Sequence, residues 1–186
     1  MESKQSANAN LGASCTVDAN KAAHLDAKIN QRYKVECFGR DGKLKWREEF
    51  DNLVVTAGRN KYLDATLKTG LTTPAWYVGL KGAGTIAAAD TMASHAGWTE
   101  SAAYSQSTRP VWTAGTIASG SVDNSGAVAV FSINATATIA GAFLADNSTK
   151  SGSTGTLLGA GDFSASRSLE SGDTLNVTVT CSLTSS

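Results

Sequence analysis

The feature that most constrains this chain is its last regular stretch, "DTLNVTVTCSLT", residues 173–184. Leu175, Val177, Val179, Cys181 and Leu183 alternate with Asn176, Thr178, Thr180 and Ser182. Successive side chains of a strand point to opposite faces, so this period of two describes a strand with one dry face and one wet face. A wet face belongs to an antiparallel sheet rather than to a parallel sheet covered on both sides. The remaining apolar runs are short and separated by Gly, Ser and Asn. "AWYVGLKG" (75–82) predicts a strand, and "PVWTAGTI" (110–117) another. "GAVAVFSINATATIAGAFLAD" (126–146) predicts one long or two consecutive strands, with Val128 and Val130 on one face and Ala127, Ala129 and Phe131 on the other. "TLLGAGDFSA" (156–165) follows. Short strands with such turns predict a mainly β domain, a β-sandwich or jelly roll.

Upstream, "RYKVECF" (32–38) and "LKWREEF" (44–50) flank "GRDGK" and predict a β-hairpin. "TAGRNKYLDATLKTG" (56–70) is the best helix candidate, with Leu63 and Leu67 as its apolar stripe, Thr56 as cap and Gly70 as terminator. Residues 1–30 have few large apolar side chains and no clear period. They predict an extended N-terminal arm, with residues 31–186 forming the β-sandwich domain. Leu11, Val17 and Leu25 are spaced so that each can enter a groove on a partner. The arm is therefore expected to order on neighbouring subunits rather than on its own domain.

Charge argues against a nucleic-acid partner. The formal net charge is zero, and no region is strongly basic. "GKLKWR" (42–47) reads as a solvated strand face. No stretch approaches the ~20 apolar residues of a membrane span, and the N-terminus lacks the apolar core of a signal peptide. Cys15, Cys37 and Cys181 are odd in number and widely spaced, which predicts reduced thiols rather than a disulfide framework. A protein made and kept in the cytoplasm, or assembled there, is expected.

The side chains best suited to chemistry lie in "DTMASHAGWTE", residues 90–100. His95 has Asp90 and Glu100 each five residues away, a generic pairing. Ser94 lacks the G-x-S-x-G context of a nucleophile elbow, and "GLKGAG" (79–84) lacks the GK[ST] of a phosphate loop. The aspartates at 90, 123, 146, 162 and 173 sit singly in turn-like contexts, too sparse for calcium. Asn134-Ala135-Thr136 matches a glycosylation acceptor, which has meaning only on a secretory route. Trp46, Trp76, Trp98 and Trp112, with Tyr77 and Tyr104, could line a sugar site or simply fill the core. The expectation is no catalytic residue, no metal and no cofactor. Trp98 should anchor an ordered surface loop in which His95 and Asp90 shape turns.

The order of elements carries a resemblance. "NLVVTAGRNKYLDATLKTG", then "AWYVGLKGAGTIAAADTMASHAGWTE", then a β-rich middle and a closing "GDTLNVTVT" together resemble small structural proteins of tailed bacteriophage virions, over roughly residues 33–184. The resemblance implies a non-enzymatic virion protein: a capsid decoration or cement protein that bridges and stabilises capsid subunits. Its partners would be the major capsid protein or other virion subunits, and it would be a homo-oligomer, dimer or trimer. A tail or fibre component that binds a host receptor or glycan is the alternative, and a small hydrolase the third.

Overall fold

A computed structural model describes residues 27–68 and 74–185. Its elements are β1 (Ala27–Phe38), β2 (Leu44–Asp51), β3 (Leu53–Val54), α1 (Thr56–Leu67), β4 (Trp76–Gly84), β5 (Trp98–Ser101), β6 (Val111–Trp112), β7 (Ser121–Val122), β8 (Ala129–Ser132), β9 (Ala137–Ala145), β10 (Leu157–Leu169) and β11 (Thr174–Ser185). They form two antiparallel sheets. One runs β2-β1-β11-β7, with β8 also on β11; the other runs β3-β10-β9-β4-β5, with β6 on β4. The architecture is a β-sandwich with a single helix among the described residues.

The period-two pattern of β11 works as its sequence demands. Leu175, Val177 and Val179 are fully buried and Cys181 nearly so; Leu183, at the strand's end, is exposed. On β1, Tyr33, Val35 and Cys37 face the same core and pair with Val179, Val177 and Leu175. The hairpin predicted around "GRDGK" is present, and Gly42 supplies its left-handed residue at φ 74°. β1 starts at Ala27, inside the range assigned to the arm. Residues 1–26 lie outside the described part.

Between β7 and β8 the edge of β11 has no strand partner, and side chains take over its backbone. The buried Asn124 accepts from Val179 N at 2.7 Å and donates to Val177 O at 3.1 Å. Trp112 Nε1 donates to Val179 O at 2.9 Å, tying β6 of the second sheet to β11 of the first. Unpaired backbone groups at such a site would each cost on the order of 1–3 kcal/mol.

Three expectations need correction. Leu63 and Leu67 are 55% and 77% exposed, so the predicted stripe of α1 faces solvent. The helix docks instead through Gly58, which is buried, and through Ala57 and the half-buried Tyr62. Close approach to β10, not side-chain volume, selects this face. Thr56 is the first helical residue rather than the cap, a place held by Val55 without a side-chain bond; Gly70 lies outside the described residues. The middle segment, by contrast, forms two strands as expected, with Ala129 and Phe131 buried on one face and Val130 exposed on the other. Of "PVWTAGTI" only Val111 and Trp112 are strand.

A Cβ added at Gly58 would overlap the carbonyl oxygen of Leu158. Gly58→Ala is therefore expected to push α1 off β10 at a cost of about 1–3 kcal/mol, despite alanine's better helix propensity. Chemical denaturation of the variant checks this: a stabilised protein would contradict the packing described.

Candidate functional site

In the loop around His95, which the sequence singles out, Trp98 opens β5. It is buried against Phe143, with ring centroids 5.3 Å apart, in a small core with Val55, Met92 and Leu157. Its Nε1 donates to Asp90 Oδ2 at 2.9 Å, and the same oxygen accepts from Ala87 N at 2.9 Å. His95 stacks on the Trp98 ring at 4.1 Å, with Nδ1 3.1 Å from Trp98 O. Trp98 is thus the anchor its sequence context predicts, and Asp90 and His95 hold the loop around it.

Glu100 lines a small concavity together with His95, but its hydrogen bonds go elsewhere. It forms a forked pair with Arg109, Nε to Oε1 at 2.9 Å and Nη2 to Oε2 at 2.7 Å, and both side chains are buried. Arg109 also donates to Asn147 O at 2.8 Å and lies over the Phe143 ring. Ser151 N donates to Glu100 Oε2 at 2.8 Å. The pair staples the 102–110 segment to the 147–152 loop. Neither Arg109 nor this link stands out in the sequence, since a lone arginine before a proline carries no local signal.

Asp90→Asn and His95→Ala separate a structural loop from a catalytic one. Asp90→Asn keeps one acceptor oxygen but weakens two bonds made to a carboxylate, for an expected loss of about 1–2 kcal/mol. His95→Ala removes only a stacked, half-exposed ring and should cost less. Thermal melts of both variants check the order, and reversal would contradict the loop geometry.

Several other charged groups are similarly engaged. Asp162 is not in a turn: it lies in β10, where its carboxylate receives the fully buried Lys81 Nζ at 2.6 Å. Lys45 meets Asp173 at 2.9 Å, and Arg167 pairs with the buried Glu48. Arg47 meets Glu36, so "GKLKWR" is a paired strand face. Burial alone raises the Glu48 and Asp173 carboxyls. Arg167 and Ser164 outweigh it at Glu48, and the Glu170 amide and Lys45 outweigh it at Asp173, so both lie below their ordinary range. Each is harder to protonate folded than unfolded. The stability they contribute is complete above the ordinary carboxylate range of about 4, and is lost as pH falls through their lower folded values. Urea midpoints should therefore drop below ~pH 4, and Asp173→Asn should flatten that drop; an unchanged slope would contradict the pairing.

Cys37 and Cys181 are free and buried. Burial, with Asp173 nearby, pushes the Cys37 thiol up to about 12, and burial also raises Cys181. Cys15 lies outside the described residues. Among the described residues no group of three or more His, Cys, Asp or Glu is placed to hold a metal ion. No helix among them is long and apolar enough to cross a membrane.

A concavity lies at one end of the sandwich. It is a groove of about 490 Å³ between α1, the 114–122 segment and the end of β11. Tyr62, Trp76, Trp112, Ile117, Leu144 and Leu183 line it together with Cys181. Trp76 and Trp112 are register partners on β4 and β6. The groove brings together two of the four tryptophans. Trp46 packs edge-on against Phe163 instead, Tyr104 is fully buried, and Tyr77 does not line the groove. No local pattern in the chain signals this gathering, because the lining comes from several separate stretches far apart in sequence.

The fold and this site define a β-sandwich with an apolar end groove. No protein-family model matches the chain, and no curated protein is similar to it in sequence.

Proposed function

We propose that the protein is a non-enzymatic virion structural protein of a tailed bacteriophage, a decoration or cement protein that bridges capsid subunits. The observation that carries this reading is the contrast between its surfaces. Of the side chains the sequence offers for chemistry, Glu100 is held in an ion pair with Arg109, Asp90 accepts from Trp98 Nε1 and Ala87 N, and His95 is stacked on the Trp98 ring, whereas the open groove is largely apolar and is bordered by the exposed Ile117 and Leu183. Exposed apolar surface gathered at one end of a domain is what a protein contact uses. The resemblance in the order of elements supplies the virion setting. The attachment face is then the groove end of the sandwich, where the N-terminal segment also enters. Its partner is the major capsid protein or another virion subunit, and assembly takes place in the host cytoplasm, with the protein as a dimer or trimer.

The test is rebinding of purified protein to particles from which it has been stripped. Ile117→Asp and Leu183→Asp alter exposed rim positions, so they should leave the melting temperature nearly unchanged and cut occupancy at least tenfold. Full occupancy by both variants would overturn the assignment of the face.

A tail component that binds a glycan has one observation in its favour, the Trp76–Trp112 pair in the groove. Sugar sites add directed polar groups to aromatic faces. Here the Trp112 indole N–H is already bound to Val179 O. Glycan-array binding abolished by Trp76→Ala would favour this second reading.

A further inference from the structure

The groove end of the sandwich is also where the chain enters it. Ala27 pairs with Ser185 and Ile29 with Leu183, a residue of the groove's rim. The chain before Ala27 therefore departs within two residues of β11 from that rim, a distance of ~7 Å along a strand. Twenty-six residues precede Ala27. Extended, they would reach ~85 Å, so even a fraction of them spans the opening.

We propose that the groove is the seat of the chain's own N-terminal segment, residues 1–26, held there in the isolated protein by its apolar side chains Leu25, Val17 and Leu11. The chemistry of the groove selects such an occupant. Its volume of about 490 Å³ accommodates several apolar side chains. The Trp112 indole N–H is bound within the domain, and Tyr62, Trp76, Ile117 and Leu183 present rings and methyl groups. The spacing of Leu25, Val17 and Leu11 by itself points to grooves on a neighbouring subunit; what the structure adds is that the segment joins the domain at Ala27, beside a groove of its own. Tethering decides between them. A segment joined at Ala27 meets its own groove at an effective concentration of about millimolar, which exceeds that of a second copy at ordinary protein concentrations. The segment thus covers the apolar end of the free protein, and a partner that binds there must displace it. This inference concerns the isolated chain and stands apart from the virion reading.

The experiment compares the full chain with the full-length triple variant Leu11→Ser/Val17→Ser/Leu25→Ser, using anilinonaphthalene sulfonate as the probe of open apolar surface. The wild-type chain should bind the dye weakly, and the variant at least tenfold more tightly with an unchanged circular dichroism spectrum. Adding Ile117→Asp and Leu183→Asp to the variant should abolish the gain, placing the dye in the groove. A synthetic peptide of residues 1–26 should displace the dye from the triple variant. Equal dye binding by wild type and variant, or no displacement by the peptide, overturns the proposal. Dye exclusion that appears only at concentrations where sedimentation shows a dimer also overturns it, because the occupant would then be another copy's segment.

Discussion

Removal of residues 174–186 should leave a chain with no cooperative thermal transition. The strand lost, β11, is the centre of its sheet: β1 pairs with it along twelve rungs, and β7 and β8 line its other edge. Leu175, Val177, Val179 and Cys181 leave the core with it. At about 1.5–3 kcal/mol for each large apolar side chain, this loss is of the order of the whole stability of a domain, ~5–15 kcal/mol. The damage extends to the second sheet through the Trp112–Val179 bond. Calorimetry and near-ultraviolet circular dichroism check the result. A soluble truncation that melts cooperatively would contradict the placement of β11.

Arg109→Ala should be the most damaging single substitution outside the apolar core. It leaves the buried Glu100 carboxylate without its cation and the Asn147 carbonyl without a donor. Breaking one side of a buried pair costs about 3–5 kcal/mol. For a domain of this size that corresponds to a fall in melting temperature of ~10 °C or more. Glu100→Gln, which keeps the shape and removes the charge, should fall between Arg109→Ala and wild type. A drop of only a degree or two in Arg109→Ala would show that the 147–152 loop does not depend on the staple. In either variant the unfolding midpoint in urea gives an independent value.

β11 and Arg109 stand at opposite ends of what a sequence makes legible. The strands whose side chains alternate, β1, β2 and β11, can be read directly because a period of two is a local property of the chain. The Trp98 anchor is legible for a related reason: a large aromatic in a run of small residues has few alternatives to burial. The helix is legible and its buried face is not. Leu63 and Leu67 carry the only apolar period in that stretch, yet α1 docks through Gly58, whose value is that it has no side chain. The turn reading of Asp162 fails because its partner, Lys81, is 81 residues away. Asn124 has the context of a turn residue in "VDNSG", and its role as a substitute strand partner for β11 depends on a gap between β7 and β8 that only the tertiary fold creates. The groove is the extreme case. Tyr62, Trp76, Trp112, Ile117 and Leu183 are unremarkable one by one, and the surface they make exists only where the two sheets end together.

A lattice role on a phage capsid is tested most directly by the number of copies in each particle. Purified virions, quantified by calibrated mass spectrometry against the major capsid protein, should contain hundreds of copies of this chain in a simple ratio to that protein. A count of a few to a few dozen per particle would place it in the tail and contradict the decoration role, and its absence from washed virions would contradict the virion reading altogether.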